Sequence, residues 1–236
     1  MRMHHSVLFI MSTVLLGMGH TPLYADQSVY IDQVAGDNLT LTINQNSGDG
    51  NSIGDPTAVG DSQYFAIDGD SQTITVDQIG SSNTLTGSIL YTDTFEFDLS
   101  QTGSTNTFAI EQEGGSNGSI VADFVGSNND VIIDAGLVTS SEYMNLDLDV
   151  TGDYNVFDWT IDADGVLNNV TVAGDYNDFE IDQNGYGTSI DYHEVIMNMV
   201  GDNNVVDIIQ ETTLNASHID LDLSGDNQVI TITQSD

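Results

Sequence analysis

The sequence holds no cysteine, two prolines and, apart from Arg2, no lysine or arginine in 236 residues. Without cysteine there is no disulfide and no thiolate metal site, so an exported fold must hold by backbone ladders and packing. Without basic side chains the 37 Asp and Glu residues have no Lys or Arg partner, and water, salt or metal ions must answer them. The formal net charge of −36 repels nucleic acid and anionic membrane surfaces, so neither is an expected partner. Beyond the N-terminal segment no apolar run approaches the length that crosses a bilayer, and membrane insertion is not expected. Phosphate-binding and dinucleotide fingerprints are missing, no nucleophile motif surrounds any serine, and a lyase for acidic polysaccharides would need basic residues. An enzyme is not expected.

Apolar residues, by contrast, are not scarce. They make up 39% of the chain and are regularly placed, which argues against disorder despite the charge. Met1–His5 carries Arg2, Val7–Met18 is apolar, and Leu23-Tyr24-Ala25 ends on a small residue before Asp26. This layout reads as a secretion signal over residues 1–25, followed by one repeat domain over residues 26–236, and it places the protein outside the cell.

A Gly-[Asp/Ser] turn opens units at Gly36, Gly69, Gly103, Gly126, Gly152, Gly174, Gly201 and Gly225, most of them 22 to 27 residues apart. Three places on stands an amide in seven of the eight units: Gln72, Asn106, Asn129, Asn155, Asn177, Asn204 and Gln228. Five and seven places on, every residue is apolar, giving Phe108 and Ile110, Phe157 and Trp159, Phe179 and Ile181, Ile230 and Ile232 among the core candidates. Nine places on, six of eight are glutamine: Gln45, Gln78, Gln112, Gln183, Gln210 and Gln234. Steps of two put all four side chains on one face of an extended strand, whereas a helix would scatter them. Shorter echoes such as Gly80-Ser81-Ser82-Asn83 and Gly48-Asp49-Gly50-Asn51 restart the turn half a period later and lead into a second alternating strand. The expected fold is all-β, a β-solenoid of about eight stacked strand–arc–strand units. One arch cannot bury its inner face alone, and stacked copies can. Stacking places like side chains ~4.8 Å apart, so inward amides form columns that hydrogen-bond along the stack while apolar residues form ribs.

Chemistry besides assembly is thinly represented. His193 and His218 have no repeated partner and read as surface residues. Asp37, Asp70, Asp153, Asp175, Asp202 and Asp226 each follow a turn glycine, so stacking would gather hard oxygen ligands suited to calcium, although no calcium β-roll nonapeptide is present. No cofactor is required by this reading, with Ca²⁺ the one candidate.

The half-repeat carried by Gln78-Ile79-Gly80-Ser81-Ser82-Asn83 and Gln112-Glu113-Gly114-Gly115-Ser116-Asn117, with six-residue steps such as Asn106 to Gln112 and Asn204 to Gln210, resembles that of curlins, the subunits of bacterial curli amyloid fibres. The resemblance spans about Gln33 to Gln234. It departs in lacking a glycine-rich targeting segment after the leader, and in placing Phe108, Phe157, Phe179 and Trp159 where curlins favour small residues. It implies a secreted subunit that polymerises end to end into surface or biofilm-matrix fibres, with an export pore and a nucleator subunit as partners. The alternative expectation is a monomeric, calcium-dependent adhesin or binding module with an acidic solenoid face.

Overall fold

The computed structural model describes residues 8–13, 27–33, 38–46, 50–54, 65–90, 94–115, 117–136, 143–185, 193–212 and 218–235. Among these residues the chain forms strands and no helix. With strands numbered along the chain, the longer sheet stacks β1 (Leu8–Thr13), β2 (Gln27–Gln33), β4 (Gly50–Ile53), β7 (Ser82–Leu90), β9 (Thr105–Glu113), β11 (Asp130–Ala135), β13 (Val156–Asp162), β15 (Asp178–Gly185), β17 (Val205–Thr212) and β19 (Val229–Ser235). The short β5 (Phe65–Asp68) pairs with β2 and β7, as β4 does. The shorter sheet runs through β3 (Thr40–Gln45), β6 (Gln72–Ile79), β8 (Thr94–Thr102), β10 (Asn117–Val125), β12 (Met144–Thr151), β14 (Val166–Ala173), β16 (Glu194–Val200) and β18 (His218–Ser224). Every pairing is parallel and in register except the antiparallel contact of β1 with β2.

The chain therefore alternates between the two sheets as it climbs, a β-solenoid of about six turns. The alternation of apolar and polar residues dictates this. In β8, Phe95, Phe97 and Leu99 point inward while Glu96, Asp98 and Ser100 point out. Inward side chains of both sheets meet in one core. Phe97 of the shorter sheet packs against Phe108 of the longer one with ring centroids 5.7 Å apart, and Phe108 against Phe124 at 6.2 Å. Phe157 and Phe179, one turn apart on the same sheet, stack at 4.3 Å. Two inward glycines accommodate large neighbours. A Cβ at Gly87 would lie 2.8 Å from the Phe65 Cβ, and one at Gly118 would lie 2.3 Å from the Phe95 ring and 2.5 Å from the Met144 sulfur.

Two expectations require correction. The turns in register on one edge are those at Gly80, Gly103, Gly126, Gly152, Gly174, Gly201 and Gly225, so the regular stack counts about six turns and not eight. The unit opened by Gly69 leads into β6 of the opposite sheet, and so does the unit before it, which leads into β3. Both arcs share the Gly-x-x-amide pattern, and only the hydrogen-bond partner of the following strand reveals which edge a turn occupies.

Of residues 1–25, the described part is β1 alone, paired over its six residues with β2.

Candidate functional site

The inward amides form the most ordered feature of the interior. One column runs through Asn51, Asn83, Asn106, Asn129, Asn155, Asn177 and Asn204, all buried. Side-chain N–H groups donate from each layer to the Oδ1 of the next: Asn51 to Asn83 at 3.1 Å, Asn83 to Asn106 at 2.8 Å, Asn106 to Asn129 at 2.6 Å, Asn155 to Asn177 at 2.7 Å and Asn177 to Asn204 at 3.2 Å. At the step from Asn129 to Asn155 the main-chain N–H of Asn129 donates to the Asn155 Oδ1 at 2.9 Å, and the Asn129 side chain turns to the Gly126 carbonyl. The same main-chain donation recurs from Asn155 to Asn177 and from Asn177 to Asn204, which fixes each Oδ1 as the acceptor. Asn129, Asn155 and Asn177 each close their own turn by donating to its glycine carbonyl, and each joins a neighbouring coil. Gln228 ends this edge by donating to the Gly201 carbonyl at 2.9 Å.

The glutamines form two columns rather than the single one expected. Gln78 donates to Gln45 at 2.7 Å and Gln101 donates to Gln78 at 2.6 Å, all three in the shorter sheet. Gln210 donates to Gln183 at 2.6 Å and Gln234 donates to Gln210 at 3.1 Å, all three in the longer sheet. Each column stops where the neighbouring layer turns apolar. Phe124 lies opposite Gln101 and Ile161 opposite Gln183, which leaves the Gln101 Oε1 and the Gln183 Nε2 without a hydrogen-bond partner. Gln112 stands between Ile89 and Ala135 and donates to the Gly114 carbonyl. Gln72 is buried at the head of β6, opposite Phe95, and so lies outside the asparagine column. Asn51, Asn83 and Gln101 were missed as column members by counting from a single set of glycines.

The turns explain the glycines. A Cβ on Gly152 would stand 1.9 Å from the Gly126 carbonyl oxygen, and one on Gly201 would stand 1.8 Å from that of Gly174. Stacked coils approach too closely there for any side chain. The aspartates that follow form a ladder of their own. The main-chain N–H of Asp175 donates to the Asp153 carboxylate at 2.8 Å, that of Asp202 to Asp175 at 2.6 Å and that of Asp226 to Asp202 at 2.7 Å. Each of these carboxylates uses one oxygen to tie neighbouring coils together. Asp70 belongs to the turn before β6 on the opposite edge, and Asp37 lies outside the described residues. Among the described residues no group of three or more His, Asp or Glu side chains is placed to hold a metal ion.

No protein-family model, curated protein or solved structure matches the chain.

Core candidates divide by position in the stack. Phe108, Ile110, Phe157, Trp159, Phe179 and Ile181 are buried. Ile230 and Ile232 are 44% and 46% exposed, because β19 is the outermost strand of its sheet and no other described strand pairs over it. In β18 the inward Ile219, Leu221 and Leu223 are only partly buried for the same reason. Among the described residues this end of the stack is thus an apolar face flanked by β18 and β19, each paired on one side only. His193 is buried rather than exposed. Burial pushes its imidazole below the usual range, against a backbone hydrogen bond at Gly185 and the charges of Asp162 and Asp164. His218 is exposed, with its Nδ1 2.9 Å from Glu194.

On the outer faces, register sets carboxylates side by side. Asp123 lies opposite Asp149, and Asp158 lies opposite Glu180, which lies opposite Asp207. Partial burial, then the charge of Asp149, holds Asp123 above the ordinary carboxylate range. Burial followed by Asp158 and Glu113 does the same to Asp134, and burial followed by Glu211 to Asp182, where a hydrogen bond from Asn184 works the other way.

Proposed function

We propose that the chain is a secreted structural subunit that assembles end to end, copy on copy, into an extracellular curli-like amyloid fibre serving a biofilm matrix or surface adhesion. One observation carries this reading: the last coil presents the half-exposed Ile230 and Ile232, with β18 and β19 unpaired on their outer sides. Unpaired, flat, in-register edges over an apolar face template the addition of another chain.

The other edge of the shorter sheet is β3, so among the described residues that sheet has an unpaired strand at each end. Joining β18 to β3 of a second copy in the register of the existing layers sets Leu41 over Ile219, Ile43 over Leu221 and Gln45 over Leu223. Two apolar ribs continue across such a junction, and Gln45 meets Leu223 as Gln101 meets Phe124 within the chain. On the longer sheet, β1 covers β2. Removal of residues 1–25 as a secretion signal takes that strand away and opens the second edge, so assembly follows export.

Negative-stain microscopy and light scattering on the chain beginning at Asp26 test the proposal. Filaments that bind an amyloid dye are expected, with slower growth for the full chain. A monomer that forms none at any salt or pH rejects it.

The alternative, a monomeric calcium-dependent adhesive module, draws on the aspartate ladder at Asp153, Asp175, Asp202 and Asp226. It calls for saturable heat on calcium titration and for no filaments.

A further inference from the structure

From the Gly126 turn onward, the edge where the shorter sheet turns into the longer one takes left-handed backbone two places after each turn glycine. Asn128, Tyr154, Tyr176, Asn203 and Asn227 occupy it, with φ between 56° and 60°. Asparagine tolerates this region, whereas a bulky aromatic residue there is strained. Two coils nevertheless carry tyrosine, and they are neighbours. Stacking places the rings one over the other with centroids 5.0 Å apart and planes within 3°. Both rings project into solvent, 56% and 50% exposed. Strain held at a surface position in two adjacent layers points to a use for the pair.

We propose that Tyr154 and Tyr176 form an oxidative cross-linking site, which a peroxidase-type one-electron oxidant with hydrogen peroxide joins into a dityrosine. Each phenol loses one electron and one proton to give a phenoxyl radical. The two radicals couple through ring carbons ortho to their oxygens, forming one carbon–carbon bond. Each bonded carbon then passes its hydrogen to the phenoxyl oxygen by tautomerisation, restoring both aromatic rings and both hydroxyls. Overall two hydrogens leave the protein, and the peroxide is reduced to two waters. In-register stacking supplies the proximity that makes coupling within the chain faster than coupling between chains. The product is a covalent tie between adjacent coils in a chain with no cysteine to form one. A single unassembled copy holds both rings, so this proposal fails or stands separately from fibre formation.

The test treats the folded chain with peroxidase and hydrogen peroxide at a dilution that keeps it monomeric. Readouts are the blue fluorescence of linked phenols and mass mapping after cleavage at Asp and Glu, since the chain beginning at Asp26 offers no Lys or Arg sites. The expected result is one dominant linked pair joining the Tyr154 and Tyr176 peptides, lighter by two hydrogens. Its yield falls roughly tenfold or more when the chain is unfolded in denaturant before oxidation. Tyr154→Phe and Tyr176→Phe each keep the ring stack, shown by an unchanged circular dichroism spectrum, and each abolishes the link. Coupling spread over other tyrosines such as Tyr143, or an equal Tyr154–Tyr176 yield in the unfolded chain, overturns the proposal. The comparison of folded with unfolded wild-type chain does not depend on either variant folding.

Discussion

A single asparagine of the buried column answers three demands at once, and Asn155 illustrates them. Its Oδ1 accepts the main-chain N–H of Asn129, and its Nδ2 donates both to the Gly152 carbonyl at 2.7 Å and to Asn177. Asn155→Ala leaves the buried main-chain N–H of Asn129 without its acceptor and takes the side-chain donor from the Gly152 carbonyl, while the Asn177 Oδ1 keeps the main-chain N–H of residue 155, for a loss of about 1–3 kcal/mol. Chemical denaturation is expected to show that loss, while Thr107→Ala or Glu111→Ala on the outer face stays within about 0.5 kcal/mol. Glycine makes the harder demand. At Gly152 the backbone has φ 140°, and an added Cβ would overlap the Gly126 carbonyl. Gly152→Ala is expected to cost about 3–5 kcal/mol by the same measurement, because strain and overlap add. The stacked tyrosines belong to this scale too. Their signal lay in the sequence as a ring in two consecutive turns where Asn128, Asn203 and Asn227 stand in the neighbouring ones, but only the φ values give it meaning.

At the scale of the element, what a strand contributes depends on its layer. Phe108 in β9 has coils on both sides, and Phe108→Ala is expected to cost about 3–5 kcal/mol. Ile230 and Ile232 sit at the same places of the repeat but in the last coil. Their joint replacement, Ile230→Ser with Ile232→Ser, is expected to lower monomer stability by less than about 2 kcal/mol, since each is already close to half exposed. The same double variant should stop elongation, measured as dye-binding growth from preformed seeds. Unimpaired elongation would remove the end face from the argument for assembly. The outer faces of β10 and β12, and of β13, β15 and β17, set carboxylates in register, and their effect appears only when strands are summed.

For the whole molecule, that sum is a pH dependence. Asp123, Asp134 and Asp182 are held above the ordinary carboxylate value of 3.8 by partial burial and neighbouring acids. A folded pKa above the unfolded one means that the folded chain binds more protons in the interval between them. Stability therefore rises as pH falls through the folded values, reaches its full extent below about 3.8 and is lost as pH rises again. Denaturant midpoints at neutral and mildly acid pH should show greater resistance at the acid end. Added salt should narrow the difference, since about 0.1 M screens exposed charges beyond roughly 10 Å. A chain of net charge −36 gains from both.

The strands, the inward face and the parallel in-register stacking are legible in the residues alone. Period-two alternation admits one buried face, and a glycine at every turn of the coil admits only close stacking of like on like. The same alternation marks Phe108, Ile110, Phe157, Trp159, Phe179 and Ile181 as interior positions. Tertiary structure alone decided the rest. The two arcs of a coil are written with the same Gly-x-x-amide pattern, so only pairing could place β3 and β6 on the shorter sheet and split the glutamines into the Gln45–Gln78–Gln101 and Gln183–Gln210–Gln234 columns. Only the absence of a covering layer could leave Ile230 and Ile232 in solvent, and only the packing around the start of β16 could bury His193. Local pattern says which way a side chain points; what lies on the other side of it is a property of the stack.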